Sequence, residues 1–270
     1  MLPVMDGFAK YLSSDMPVLQ ITWARYFFTV VFTLPVMMIF YRNQLVWTNK
    51  PKLQLIRGII LLTANICFFY AISVISLAKA LTLAFVAPLI VTAFSPFFLG
   101  EKVGVRRWTA VIIGFIGSLV VIRPGFVEIN LASFAALGTG VMYGFYLIIT
   151  RKLSTSDNPL LTLLLTGSVG LVIISILMPF IWVKPSVSQW YMMASIGIFA
   201  CVGHLFLILS LKYADASKLA PFSYFEIITN ILIGYYFFND FPDNWTFLGL
   251  FIIVLSGLYI SRREIIIKNS

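Results

Sequence analysis

KALTLAFVAPLIVTAFSPFFLGEKVGVRRWT, residues 79–109, and KLAPFSYFEIITNILIGYYFFNDFPDNWT, residues 218–246, read as two copies of one segment. A shift of 139 residues lays Lys79 on Lys218, Phe85 on Tyr224, Phe98 on Phe237 and Glu101 on Asp240. After a two-residue gap, Trp108-Thr109 falls on Trp245-Thr246. Each copy is an apolar stretch long enough to cross a bilayer, closed by an acid. Matches that share one register mark an internal repeat.

Working outward, we sought apolar runs of roughly 20 residues, the length a helix needs to cross the hydrocarbon. They are Val18–Phe40, Leu55–Ile75, Ala78–Leu99, Trp108–Ile122, Ser133–Thr150, Leu160–Trp182, Gln189–Leu211, Ser217–Phe238 and Trp245–Ser261. Met1–Leu12 reads as the second half of a further helix, shortened at its start. Halving the chain gives five helices to residues 1–125 and five to residues 126–270. An odd unit must insert its second copy upside down. Charge agrees: Glu101–Arg107 holds three basic residues, whereas its counterpart Asn239–Asn244 holds two acids and no base. The expected fold is therefore all-α and membrane-embedded, with ten transmembrane helices arranged as two inverted repeats.

Composition narrows the class. The chain is 60% hydrophobic and 11% charged, with mean hydropathy +0.98, too little polar surface for a water-soluble domain of this length. The net charge of +9 does not imply nucleic acid, because the basic residues sit in short gaps between apolar runs. Placing both termini inside gathers fourteen of the 19 basic residues, Arg57 among them, on the cytoplasmic side. Cys67 and Cys201 lie singly inside apolar runs, so neither a disulfide framework nor a metal cluster is expected. Asp6 and Lys10 interrupt the first run, which excludes a cleavable signal pattern.

Inverted repeats build carriers whose solute site lies at mid-membrane between the halves. Other classes fit less well. An embedded enzyme needs a nucleophile and base or a ligand set, and one histidine without HExxH-type spacing supplies neither. No phosphate-cradling G-x-x-x-x-G-K-S/T occurs, which argues against ATP-driven pumping. Channels usually form pores from symmetric subunits or charged rings.

Candidate site residues are polar groups at mid-depth, where an ionisable side chain costs roughly 2.5–3.5 kcal/mol on insertion scales. Glu226 is nine residues into its helix, about 13 Å deep by helical rise. It shares a stripe with Ser223, Asn230 and Gly234, one turn beyond Pro221. Thr139, Tyr143, Tyr146 and Thr150 form a second stripe, Phe85, Pro88 and Thr92 a third, and Asn65 sits midway along its helix. The substrate-binding set is thus Glu226, Asn65, Tyr143, Tyr146, Phe85, Tyr224 and Asn230. Tyr224 points to another face unless Pro221 bends the helix. Aromatics with a few polar anchors suit a flat or cationic solute, although aromatic stripes also serve simple packing. Asp6 and Arg25 fall at equal depth on either side of the first turn and are expected to pair, with Lys10 competing for Asp6. His204 reads as a hydrogen-bonded core residue rather than a proton relay. Gly140-x-x-x-Gly144 and Gly114-x-x-x-Ser118 read as helix contacts.

Asp6-Gly7-Phe8-Ala9-Lys10-Tyr11, Arg25, Phe85-Val86-Ala87-Pro88 ahead of Gly100-Glu101, Asp215-Ala216, Ala220-Pro221, Tyr224, Glu226 and Asn239-Asp240-Phe241-Pro242-Asp243 also carry a family likeness. The chain resembles the EamA-type carriers of the drug/metabolite transporter superfamily over essentially its whole length. It looks nearest to the S-adenosylmethionine and riboflavin carrier branches. Ile227 departs from the proline that many relatives have after the glutamate. The resemblance implies a ten-helix carrier in a bacterial inner membrane, working by alternating access, with no cofactor and no metal. From the residues themselves, the expected partners are a small-molecule solute and the lipid bilayer, with protons at Glu226 and a second copy of the chain as open alternatives.

Topology is directly testable. Single cysteines at Ser14 and Asn244 are expected to react with an impermeant thiol reagent in whole cells, and one at Asn49 is not. The opposite pattern would overturn the orientation.

Overall fold

The computed structural model describes residues 1–42, 48, 50–100, 103–124, 130–153, 157–213 and 216–269, excepting the side chains of 216–224 and 264–269. Glu101, Asn49 and Asp215, and the side chain of Tyr224, lie outside the described residues. Among the described residues every element is a helix: α1 (Leu2–Leu12), α2 (Val18–Phe40), α3 (Pro51–Val74), α4 (Leu77–Ala84), α5 (Ala87–Leu99), α6 (Val105–Ile122), α7 (Leu131–Leu153), α8 (Pro159–Ser175), α9 (Met178–Ile181), α10 (Val187–Tyr213), α11 (Ala216–Phe238) and α12 (Asn244–Asn269). Among the described residues seven spans are long and apolar enough to cross a membrane, counting α4 and α5 as one, and shorter apolar helices add to them.

Two expected helices are broken, and proline accounts for both. Pro88 has no N–H to give the Ala84 carbonyl, so the run through residues 77–99 divides into α4 and α5. Pro179 likewise withholds a bond from Ser175, and α8 gives way to α9. The Ser175 hydroxyl there accepts from Trp23 Nε1 at 2.9 Å. The run expected to be short, Trp108–Ile122, starts earlier as α6 at Val105.

Arg57 lies deeper than expected: counted with the cytoplasmic charges and placed two residues into the run Leu55–Ile75, it sits on α3 and is 0% exposed. The apolar run starts at Leu55, but the helix begins at Pro51, which carries the arginine a full turn inward.

Helices α1, α2, α3 and α4 pack together with α7, α10, α11 and α12 around the main hydrophobic cluster, which includes Leu12, Ile21, Phe69, Leu83, Ala136, Ile196 and Ile227. Small residues bring backbones close. A Cβ on Gly140 would lie 2.5 Å from Val86 Cγ2 and 2.6 Å from the Ala84 carbonyl oxygen, and one on Gly144 2.7 Å from Ile90. The Gly140/Gly144 pair is the seat of α7 against the α4–α5 break. At one end of the bundle Lys10 bonds Asp240 at 2.9 Å and donates to the Ile72 and Ile75 carbonyls. Asp6 therefore does not hold Lys10. Between the halves Arg123 pairs with Asp243. Burial alone would raise the Asp243 carboxyl, but bonds from Thr246 and the Arg123 guanidinium hold it below the usual carboxylate range.

Gly140→Ala forces backbone apart and is expected to lower the melting temperature in detergent, at a cost of about 1–3 kcal/mol. Gly138 is the control, because a Cβ added there would meet nothing within 4 Å. Gly138→Ala should be neutral or slightly stabilising, since alanine is the better helix former. Equal melting of the two variants would refute close packing at Gly140.

Candidate functional site

Arg25 and Arg57 are buried inside the bundle, and neither makes an ion pair among the described residues. Arg57 is satisfied by neutral oxygens. Its Nε donates to Thr150 Oγ1 at 2.8 Å, Nη2 to Tyr146 Oη at 2.7 Å, and Nη1 to the Thr162 carbonyl at 3.2 Å and to the Thr166 hydroxyl. The acceptors repeat at i+4, Tyr146/Thr150 on α7 and Thr162/Thr166 on α8, so each helix presents two of them on one face. The guanidinium also lies over the Tyr146 ring, 4.5 Å from its centroid.

From Tyr146 the network continues across the bundle. Its hydroxyl is 3.2 Å from His204 Nδ1, and His204 Nε2 is 2.7 Å from Arg25 Nη2. Because Arg25 is a donor only, Nε2 accepts and the neutral ring carries its proton on Nδ1, facing the tyrosine oxygen. His204 is thus the hydrogen-bonded core residue expected. Arg25 is 2% exposed, lies over the Tyr26 ring, and leaves its buried Nε without a hydrogen-bond partner. Asn65 Nδ2 donates to Tyr26 Oη at 2.8 Å and to the Leu61 carbonyl at 2.6 Å.

On the other side lies an acidic pole. Asp6, 2% exposed, is close enough to Arg25, Glu226 and Asn230 to interact with all three. Asp6 and Arg25 are therefore neighbours, but the close contact of Arg25 is His204 and no direct ion pair forms between them. Glu226 is partly exposed, and its backbone carbonyl accepts from Asn230 Nδ2 at 3.2 Å. Asn230 is fully buried and its Oδ1 has no partner. Tyr143 stacks on Tyr146 at 5.4 Å and feels the charges of Glu226 and Arg25. Of the substrate-binding residues read from sequence, Glu226, Asn230, Tyr143, Tyr146 and Asn65 thus meet in one region. Phe85 belongs instead to the main hydrophobic cluster beside the α4–α5 break.

The residues sequence reasoning missed are Arg57, Tyr26, Thr162 and Thr166. A signal existed: Gln54 and Arg57 stand three apart inside an apolar helix, and Thr162 and Thr166 four apart in another. Gln54 is buried as well, donating to Asp157 at 2.7 Å and to Thr162 at 3.2 Å.

The arrangement brings Asp6 of α1 beside Glu226 of α11 and Arg25 of α2, while His204 of α10 bonds Arg25. Elements of both halves of the chain contribute, and two buried polar atoms, Arg25 Nε and Asn230 Oδ1, are left for something else to bond.

Comparison with known proteins follows the same lines. The model of the EamA-like transporter family matches twice, at residues 5–123 and 130–262. The S-adenosylmethionine uptake transporter of Rickettsia bellii is 26% identical over 262 residues, which is 96% of this chain and 89% of that protein. The riboflavin transporter of Vibrio cholerae is 25% identical over 272 residues, 97% and 89% of the two chains. The pseudopaline exporter of Pseudomonas aeruginosa is 26% identical over 268 residues, covering 97% and 92%. A solved crystal structure superposes with TM-score 0.68 over 97% of both chains at 16% identity, which shows the likeness of fold.

The Arg57 network makes a prediction. Arg57→Lys keeps the charge but cannot reach four acceptors in a planar fork. The variant is expected to lose about 2–4 kcal/mol, since bonds to a charged donor are worth roughly 1.5–3 kcal/mol each. Melting indistinguishable from the parent would mean that Arg57 does not hold α3 to α7 and α8.

Proposed function

This chain belongs to the EamA-like transporter family, multi-pass membrane transporters of small metabolites, and we propose that it is a proton-coupled secondary carrier for an amphoteric solute. On this reading ten membrane segments form two inverted repeats, divided near residue 125, and rock about a site between them in a bacterial inner membrane. The substrate class is an S-adenosylmethionine-like solute, or another that carries a cation and a carboxylate together.

The observation that carries the reading is the opposition of the Asp6–Glu226 pole to Arg25, with Arg25 Nε and Asn230 Oδ1 unpartnered between α1, α2 and α11. The cationic end of the solute goes to the two carboxylates, and its carboxylate to the Arg25 guanidinium. Without a solute, an acid in the membrane interior is neutralised by a proton or by a neighbouring cation. Solute cation and proton then compete for Glu226, which couples a proton gradient to solute movement without ATP. Asp6 and Arg25 partly offset each other's charge, so emptying the site does not leave either wholly uncompensated. Relatives named for uptake and for export both match this chain over nearly its whole length, so on this reading direction is left to the gradients. A flat ring system is a second reading, favoured by the Tyr143–Tyr146 stack and by the likeness to a riboflavin transporter.

Glu226→Gln preserves size and hydrogen bonding while removing the titration. In vesicles the variant is expected to insert normally, lose most concentrative transport, and lose its pH dependence. A panel of labelled S-adenosylmethionine, riboflavin, amino acids and amines identifies the solute. Transport like the parent's from acid to alkaline pH would make Glu226 a packing residue.

A further inference from the structure

Helices α6 and α12 run antiparallel and touch most closely where Gly117 meets Gly249. A Cβ on Gly249 would stand 2.7 Å from the Gly117 carbonyl oxygen, and one on Gly117 3.1 Å from the Gly249 oxygen. Away from that crossing, toward the start of α6 and the later turns of α12, a groove of about 610 Å³ opens between them. It is lined by the half-exposed Ile113 and Leu255, with Ala110 and Ser256 buried beneath, and toward its far end by Tyr259, Arg106 and Arg262. No acidic side chain lines it among the described residues.

This groove and the charged site between the halves are built from different residues. None of its lining residues belongs to the Arg25–His204–Arg57 network. Its outer wall continues into the exposed apolar face of α6, where Ile112 is 58% exposed and Ile116 50%. The surface is therefore apolar along most of its length, hydroxyl-bearing near its end, and doubly cationic at its end. That sequence of chemistries matches a phospholipid with an anionic headgroup: acyl chain, ester and glycerol oxygens, then phosphate.

We propose that the α6–α12 groove is a binding site for one anionic phospholipid of the leaflet at the Arg106/Arg262 end. The acyl chain lies over Ile113 and Leu255, and the phosphate is held between the Arg106 and Arg262 guanidiniums. Arginine suits this task because its planar fork meets phosphate oxygens two at a time. Basic pockets between membrane helices select acidic headgroups in this way. A neutral zwitterionic lipid fits the apolar wall equally well but offers the two guanidiniums no net charge. A second copy of this chain would bring the same two arginines to the contact, cation against cation, so the groove favours lipid over self-association. The site would brace α6 against α12 at the end where their glycine contact no longer does.

Native mass spectrometry on the full-length protein tests this. The protein is released from nanodiscs of phosphatidylcholine with phosphatidylglycerol in equal parts, and retained lipids are counted. The parent is expected to retain one phosphatidylglycerol in preference to phosphatidylcholine by roughly tenfold. Arg106→Gln with Arg262→Gln should abolish the preference. Ile113→Trp fills the groove without altering charge, and it should reduce retention of the bound lipid, so the proposal remains testable if the double variant folds poorly. Lys184→Gln, a basic residue outside the groove, should change nothing. Three results would overturn the proposal: equal retention of both lipids by the parent, undiminished preference in both groove variants, or a dimer peak that falls in those variants while lipid retention stays constant. Solute transport is read separately, so its failure leaves the lipid result standing.

Discussion

A guanidinium in a membrane interior cannot shed its proton, and it has little water to bond. Each of its N–H groups must therefore find an oxygen or nitrogen, and the protein has to bring those atoms to it. Arg57 meets this constraint with neutral acceptors from α7 and α8, and Tyr146, one of them, passes the network on to His204 and Arg25. A single chain of polar contacts so fixes α2, α3, α7, α8 and α10 with respect to one another. Lipid-facing apolar packing alone would do this poorly, because apolar helix faces gain little from meeting each other instead of hydrocarbon. Directional bonds set the register; small residues such as Gly140 and Gly144 then allow the closest approaches.

How far the sequence can be read follows from what kind of information each feature needs. Span existence depends on local apolar runs, and Val18–Phe40 is both the expected run and the helix. Breaks at Pro88 and Pro179 are also local, yet an apolar count does not see them, because it weighs side chains and ignores missing backbone donors. Arg57 falls only two residues inside the expected run Leu55–Ile75, so it reads as a charge at the cytoplasmic helix end, whereas the helix begins at Pro51 and buries it. What no local reading supplies is partner identity: Thr150, Thr162 and Thr166 are ordinary threonines until α7 and α8 flank α3. The stripe Thr139–Tyr143–Tyr146–Thr150 is legible, while its purpose, half of it directed at Arg57, is not.

The candidate site shows the same division. Glu226 and Asn230 stand out in the sequence because an acid and an amide inside an apolar helix are costly wherever they point. Asp6 and Arg25 stand out by depth alone, and the structure refines the geometry: Arg25 turns its close contact to His204 while Asp6 faces Glu226 and Asn230. A carboxylate and a guanidinium fully engaged with each other would have little left to offer a solute. Holding Arg25 by a neutral imidazole keeps its charge available, and that distinction is invisible to any argument from helical rise.

The two repeats also differ where their likeness is strongest. The shift of 139 residues that relates the two copies sets Pro88 on Ile227. The proline splits α4 from α5, whereas Ile227 has a backbone N–H and α11 runs unbroken from Ala216 to Phe238. On the first-half side the helix is interrupted at Phe85 and Val86, and that break receives Gly140 of α7. On the second-half side the unbroken helix carries Glu226 and Asn230 on one face, and the Asn230 amide bonds the Glu226 carbonyl. The first repeat thus uses this helix for packing, and the second uses it to present charge. Under the same shift Glu226 falls on Ala87 and Asn230 on Val91, so the two copies share a scaffold while only the second carries the acid and the amide.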